Sequence, residues 1–188
     1  MSLPAFAGAA AVVIVVWAVY TYNYLIHARA KVREGFSGVD VQRRLRHDLV
    51  PNLCEAVRGS VVHENETLRA AAARRSKAIA ASRPQDVEAA ENSLAEGLSR
   101  LLALAERYPQ LKSSEQFTKL AAELIATEDE IQAARAIYNA NVEFYNTRAQ
   151  RLPTSLVASW MKPRSFKYLR LEPIDVAKAV PPVGVFAA

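Results

Sequence analysis

The chain is poor in the residues that staple, bend or coordinate: one cysteine, six glycines and three histidines in 188 residues. A single thiol, Cys54, cannot cross-link its own chain, which suits a reducing compartment and leaves packing to hold the fold. Cys54 reads as a small apolar residue on a helix face. Scarce glycine beside abundant alanine, with no sustained period-two alternation, favours long helices over sheets. The glycines are too dispersed to build a phosphate-cradling loop. No internal repeat at a solenoid period is present.

The histidines are equally unhelpful for chemistry. His27, His47 and His63 are scattered, and solvated or membrane-proximal positions account for them. His63-Glu64-Asn65-Glu66 begins like a zinc-protease helix, but Thr67 stands where a second His is required. No metal and no cofactor is expected. Glu128, Asp129 and Glu130 are consecutive, so on a helix they point in different directions and read as a solvated acidic face rather than a catalytic pair. No Ser-His-Asp set is recognisable. The sequence therefore predicts a protein that is not an enzyme, with no catalytic residues.

What is present starts at the N-terminus. Residues 5–26 read AFAGAAAVVIVVWAVYTYNYLI, without an ionisable acid or base. As a helix this run covers roughly 30 Å, the hydrocarbon thickness of a bilayer. A signal peptide would carry Lys or Arg ahead of a shorter apolar region, and a core helix would show a polar face. Neither fits, although Ala28-Arg29-Ala30 imitates a cleavage site. Trp17, Tyr20, Tyr22 and Tyr24 gather where amphipathic rings favour a membrane interface. Arg29, Lys31 and Arg33 follow, then Arg43, Arg44 and Arg46, and such flanking charge favours the cytoplasmic side. The expectation is a bacterial inner-membrane protein with a single span and N-terminus out. Residues 1–4 are then extracytoplasmic, 5–26 the transmembrane helix, 27–171 a cytoplasmic helical domain, and 172–188 an extended or disordered tail rich in Pro.

Charge is uneven along the chain. Lys and Arg outnumber Asp and Glu 12 to 6 over residues 29–83, are outnumbered 7 to 11 over 85–152, and lead again 5 to 2 from 153 onward. A basic early segment packing beside an acidic later one explains this, with anionic lipid attracting the residues below the anchor. The basic pI of about 9.5 is part of a nucleic-acid footprint. No recognition motif or aromatic-basic platform accompanies it, and nucleic acid is not an expected partner.

Helical periodicity runs through the rest. Val41, Leu45, Leu49, Leu53 and Val57 recur every four residues, broadened by Val50, Cys54 and Val61. Two breaks are open: Pro51, which would kink a helix interior or open a new first turn after an Asp48 cap, and Gly59-Ser60; four helices with Pro51 as a kink is the preferred arrangement. Stretches 29–58, 64–81, 86–108 and 114–151 span roughly 45, 27, 35 and 57 Å at ~1.5 Å per residue. They predict an up-and-down bundle of four long helices below the membrane. Leu94, Leu98, Leu101, Leu102 and Ala105 form one inner stripe. Phe117, Leu120, Leu124, Ile131, Ala134, Tyr138, Val142 and Tyr145 form another. Ser113 with Gln116 has capping-box spacing. Polar residues embedded in the pattern are Asp40, Gln42, Arg43, Arg44, Asp48 and Asn52 on the first helix, and Arg135, Tyr138, Asn139, Tyr145 and Asn146 on the last. Buried polar groups need partners, so these residues form either an interhelical network that fixes the bundle's register, such as a pair of Asp48 with Arg135, or a partner-binding face.

DVQRRLRHDLVPNLCEAVRG, Asp40 to Gly59, resembles the signature of the LemA family. His63-Glu64 with Leu68, Tyr108-Pro109 with Leu111-Lys112, Thr127-Glu128, Ala134-Arg135, Tyr138-Asn139, Tyr145-Asn146 and Leu152-Pro153 fit its later pattern. Cys54, Gly38 and the missing glycine-rich segment near Trp160-Met161 depart from it. The resemblance implies a membrane-anchored helical bundle, all-α, with one N-terminal span and most of the chain cytoplasmic. It supplies no catalytic residues. Some such proteins are associated with membrane organelle assembly or membrane-protein quality control, and magnetosome-associated proteins form one subgroup.

A spanning helix joined to a helical bundle without reactive clusters suggests a scaffold or adaptor whose partners are membrane lipid and other membrane proteins. Ala70–Ala73 offers a face for a homo-oligomer or for packing inside one bundle. Trp160, Met161, Lys162, Arg164, Phe166, Lys167, Tyr168 and Arg170 interleave aromatic and basic groups, as membrane-surface segments do; folding over the bundle end is the competing use.

Overall fold

The computed structural model describes residues 3–61, 64–160 and 165–174. Among these the chain is all-helical: α1 Leu3–Ser60, α2 Asn65–Ala80, α3 Pro84–Arg107, α4 Pro109–Lys112, α5 Glu115–Gln150 and α6 Thr154–Trp160. Contacts divide it into two units, Met1–Ser37 with Ala136–Tyr168, and Gly38–Arg135 with Leu169–Ala188.

The apolar run and the basic stretch after it are one uninterrupted helix, α1, which continues through Pro51 and stops at Ser60. Proline cannot donate to the carbonyl four residues back, so the His47 carbonyl loses its helical partner. Arg75 of α2 supplies one: its Nε donates to the His47 oxygen at 2.5 Å. That substitution of a side chain for a backbone donor is why the predicted break falls at Gly59-Ser60 and not at Pro51.

The other boundaries follow local chemistry. Pro84 opens α3 at a position where its missing N–H is harmless, and Arg83 closes on Asp86 at 2.6 Å. Tyr108-Pro109 ends α3 and begins the single turn of α4. The cap of α5 is one residue later than the sequence suggested. Ser114 Oγ accepts from the Phe117 N–H at 3.4 Å, while Ser113 Oγ turns back to the Gln110 carbonyl. Both α4 and α6 were absent from the sequence reading; each is too short to show a period.

The core of the second unit is built from Leu53 and Val57 of α1, Leu68 of α2, the Leu94–Leu102 stripe of α3, Leu111, and Phe117 and Leu124 of α5. The stripes predicted for α3 and α5 are mostly buried as expected. That of α1 is not. Leu53, Val57, Val50 and Cys54 are buried, but Val41 and Leu45 are 56% and 51% exposed, and Arg43, Arg46 and His47 take the inward positions instead. In the first unit α1 and α5 meet closely at Gly35, where a Cβ would lie 3.1 Å from Tyr138 Cα. Asn141 donates to the Lys31 carbonyl at 3.0 Å there, and Phe36 stands edge-on to Tyr138.

Candidate functional site

A charge network occupies the interior of the second unit. Helical spacing puts Arg43, Arg46 and His47 on one face of α1, and all three are buried. Across from them stands Glu91 of α3, 1% exposed. Arg43 Nε donates to Glu91 Oε1 at 2.7 Å, His47 Nε2 lies 2.8 Å from the same oxygen, and Arg46 bonds Glu91 Oε2. An ionised carboxylate only accepts, so His47 carries a proton on Nε2. Arg46 reaches on to Glu128 Oε2 of α5 at 2.7 Å, and Gln132 holds the other Glu128 oxygen at 2.6 Å. Arg43 also donates to the Ala78 carbonyl of α2 at 3.0 Å and to Asp40 at 2.9 Å. Four helices are joined through seven side chains and the Ala78 carbonyl. Arg46 Nε is buried without a partner, because its two terminal nitrogens are the ones that span the gap.

Two arginines and two glutamates balance in charge, which is what makes their burial tolerable. Burial alone would raise the Glu91 pKa. The hydrogen bond from His47 and the charges of Arg46 and Arg43 outweigh it and hold the carboxyl at about 2. Glu128, expected on a solvated acidic face, is 4% exposed; Asp129 and Glu130 do lie in solvent. His47 is likewise buried rather than solvated, and His27 is exposed. His63 lies outside the described residues.

The other residues singled out from sequence have the following places. Asp40 accepts from both Arg43 and the exposed Arg44. Gln42 is half-buried and Asn52 exposed. Asp48 is exposed and faces Arg75 at 3.9 Å; it does not pair with Arg135, which donates to the Leu171 carbonyl at 2.8 Å. Tyr138 and Tyr145 are buried, and Asn139 is half-buried. At the other group of positions Trp17 and Tyr24 are half-buried, with Arg148 over the Tyr24 ring at 5.7 Å, and Tyr20, Tyr22, Arg29, Lys31 and Arg33 are exposed.

The residues on α5 mainly hold the C-terminal segment. In the first unit Asn146 makes a two-way bond with Phe166, donating to its carbonyl at 2.9 Å and accepting from its N–H at 3.1 Å. Tyr138 donates to the Lys167 carbonyl, and Tyr145 stacks edge-on against Phe166. In the second unit Asn92 grips the chain in the same fashion, donating to the Arg170 carbonyl and accepting from the Glu172 N–H. An extended backbone has no helical partner for its amides, and asparagine offers a donor and an acceptor at peptide spacing. Leu169, Leu171 and Ile174 are buried along this stretch. Residues 175–188, most of the expected tail, and Met161, Lys162 and Arg164 lie outside the described residues.

Sequence reading found Arg43 and Asp40 but missed Arg46, His47, Glu91, Glu128 and the carbonyl of Ala78. The available signal was a Leu45–Leu49 stripe broken by a basic stripe on the opposite side of one helix. Its acids are 45 and 82 residues away.

These features define an all-helical protein whose N-terminal helix carries a run, almost wholly exposed, that is long and apolar enough to cross a membrane. The chain belongs to the LemA family, whose sequence profile matches residues 35–184, a stretch that holds the whole charge network and begins after the apolar run. Membership agrees with a membrane-associated helical protein. A comparison with curated proteins found no match.

Proposed function

We propose that this protein is a non-enzymatic scaffold or adaptor, held in the bacterial inner membrane by residues 5–26 with its N-terminus outside. Its four long helices form an up-and-down bundle in the cytoplasm that assembles other membrane proteins, in organelle formation or in membrane-protein quality control. The observation that carries this reading is the inversion on α1. Arg43, Arg46 and His47 are spent on Glu91 and Glu128 inside the fold, and Val41 and Leu45 are left facing out. Ionisable groups saturated by mutual bonds are poor acid–base catalysts, whereas outward apolar residues beside exposed Arg44 and Asp48 suit a protein partner.

A photo-cross-linking amino acid placed at Val41 or Leu45 of the full chain in native membranes tests this. A discrete protein adduct from these sites, with none from exposed Lys119, is expected. A chain that cross-links to no protein from either site overturns the scaffold reading. A second reading, contact with the membrane surface by the C-terminal region, is favoured by Trp160, which is 92% exposed.

A further inference from the structure

Within the first unit, α6 lies beside the apolar part of α1, and the two enclose an open groove of about 850 Å³. Its walls include Ile14, Trp17 and Val19 from α1 and Leu156 and Trp160 from α6. Arg29, at one end, is the one charged residue of the lining among the described residues. Leu156 and Trp160, four apart on α6, share a face. They are both exposed while Ala158 between them is buried. So α6 turns its small residue inward and its large apolar ones out, the reverse of a helix in water.

We propose that this groove binds one anionic phospholipid, its acyl chain along Ile14 to Ile26 and its phosphate at Arg29. The proposal rests on residues 5–26 being a membrane span. Dimensions select the occupant. From Ile14 to Arg29 α1 rises about 22 Å. Half a bilayer with its headgroups is also roughly 20–22 Å thick. With the span centred near residue 15, the groove therefore runs from the midplane to the headgroup layer of the leaflet on the Arg29 side. Apolar walls suit a chain, and a guanidinium at the headgroup level suits a phosphate, which it can bind through two parallel hydrogen bonds. A peptide occupant would find few hydrogen-bonding groups along those walls for its backbone.

Trp17 and Trp160 are the chain's only two tryptophans, and both line the groove. Two single-tryptophan versions of the full chain, W17F and W160F, in bilayer nanodiscs containing lipid brominated on its acyl chains, therefore read the site directly. Trp160 in W17F is expected to lose most of its emission to brominated phosphatidylglycerol diluted in phosphatidylcholine. It should lose clearly less to brominated phosphatidylcholine at the same fraction. Adding R29Q should make the two lipids equivalent. Trp160 indifferent to both lipids, or quenched equally by both with Arg29 present, overturns the proposal. A blue-shifted Trp160 that neither lipid quenches also overturns it, since a second copy or another protein would then fill the groove. Trp17 in W160F checks the span separately: quenching there with none at Trp160 rejects the groove alone, and no quenching at Trp17 rejects the span.

Discussion

Glu91 is the residue on which the second unit turns. It collects Arg43, Arg46 and His47 of one helix. Removing one partner of a buried ion set leaves the others uncompensated, at a cost of about 3–5 kcal/mol. E91Q should lose that much in denaturant unfolding of the detergent-solubilised chain, followed by circular dichroism. R44A, which breaks only an exposed pair with Asp40, should lose less than about 1 kcal/mol. Equal losses would remove the distinction drawn here. Acid makes a second test. The folded Glu91 titrates near 2 and its ordinary value is 4.5, so on acidification the unfolded chain takes up its proton first. The stabilisation is complete above the ordinary value and is lost as pH falls from there through the folded value. It amounts to about 3 kcal/mol at ~1.4 kcal/mol per unit. E91Q should flatten the stability curve across that window.

At the scale of elements, the instructive case is a helix that keeps going. Pro51 removes a donor, and Arg75, on another helix, replaces it. R75M should therefore cost about 1–3 kcal/mol, the penalty for orphaning a buried carbonyl. P51A restores the backbone N–H, so R75M in that background should cost clearly less. A double-mutant cycle reads the difference as coupling, and additive effects would contradict the account. The C-terminal segment offers a parallel test. N92A should strip hydrogen-exchange protection from the Glu172 amide and leave that of Phe166, which Asn146 holds, unchanged. The long helices were legible because Leu94–Ala105 and Phe117–Tyr145 repeat at the helical period. The inward charges of α1 were not, because a stripe of Val41 and Leu45 looks like a core face until the acids that draw Arg43 and Arg46 inward are known. Those acids belong to α3 and α5, and no local pattern marks them. The family resemblance was legible in Asp40–Gly59, the very stretch that holds the three basic members of the network.

For the whole molecule, uneven charge and uneven hydropathy have separate explanations. The basic excess over residues 29–83 and the acidic excess over 85–152 meet in part as Arg43 and Arg46 against Glu91 and Glu128. In the apolar N-terminal third of α1, Val12 through Val16 are each more than 60% exposed. Side chains of that kind in water would be strongly unfavourable, and the proposed anchor would place them in lipid instead. The most direct measurement is an alkaline carbonate wash of membranes that carry the full-length chain, followed by sedimentation. The intact protein should stay with the lipid pellet, as an integral span requires. Its recovery, uncleaved, in the soluble fraction would contradict the membrane anchor on which the proposed function stands.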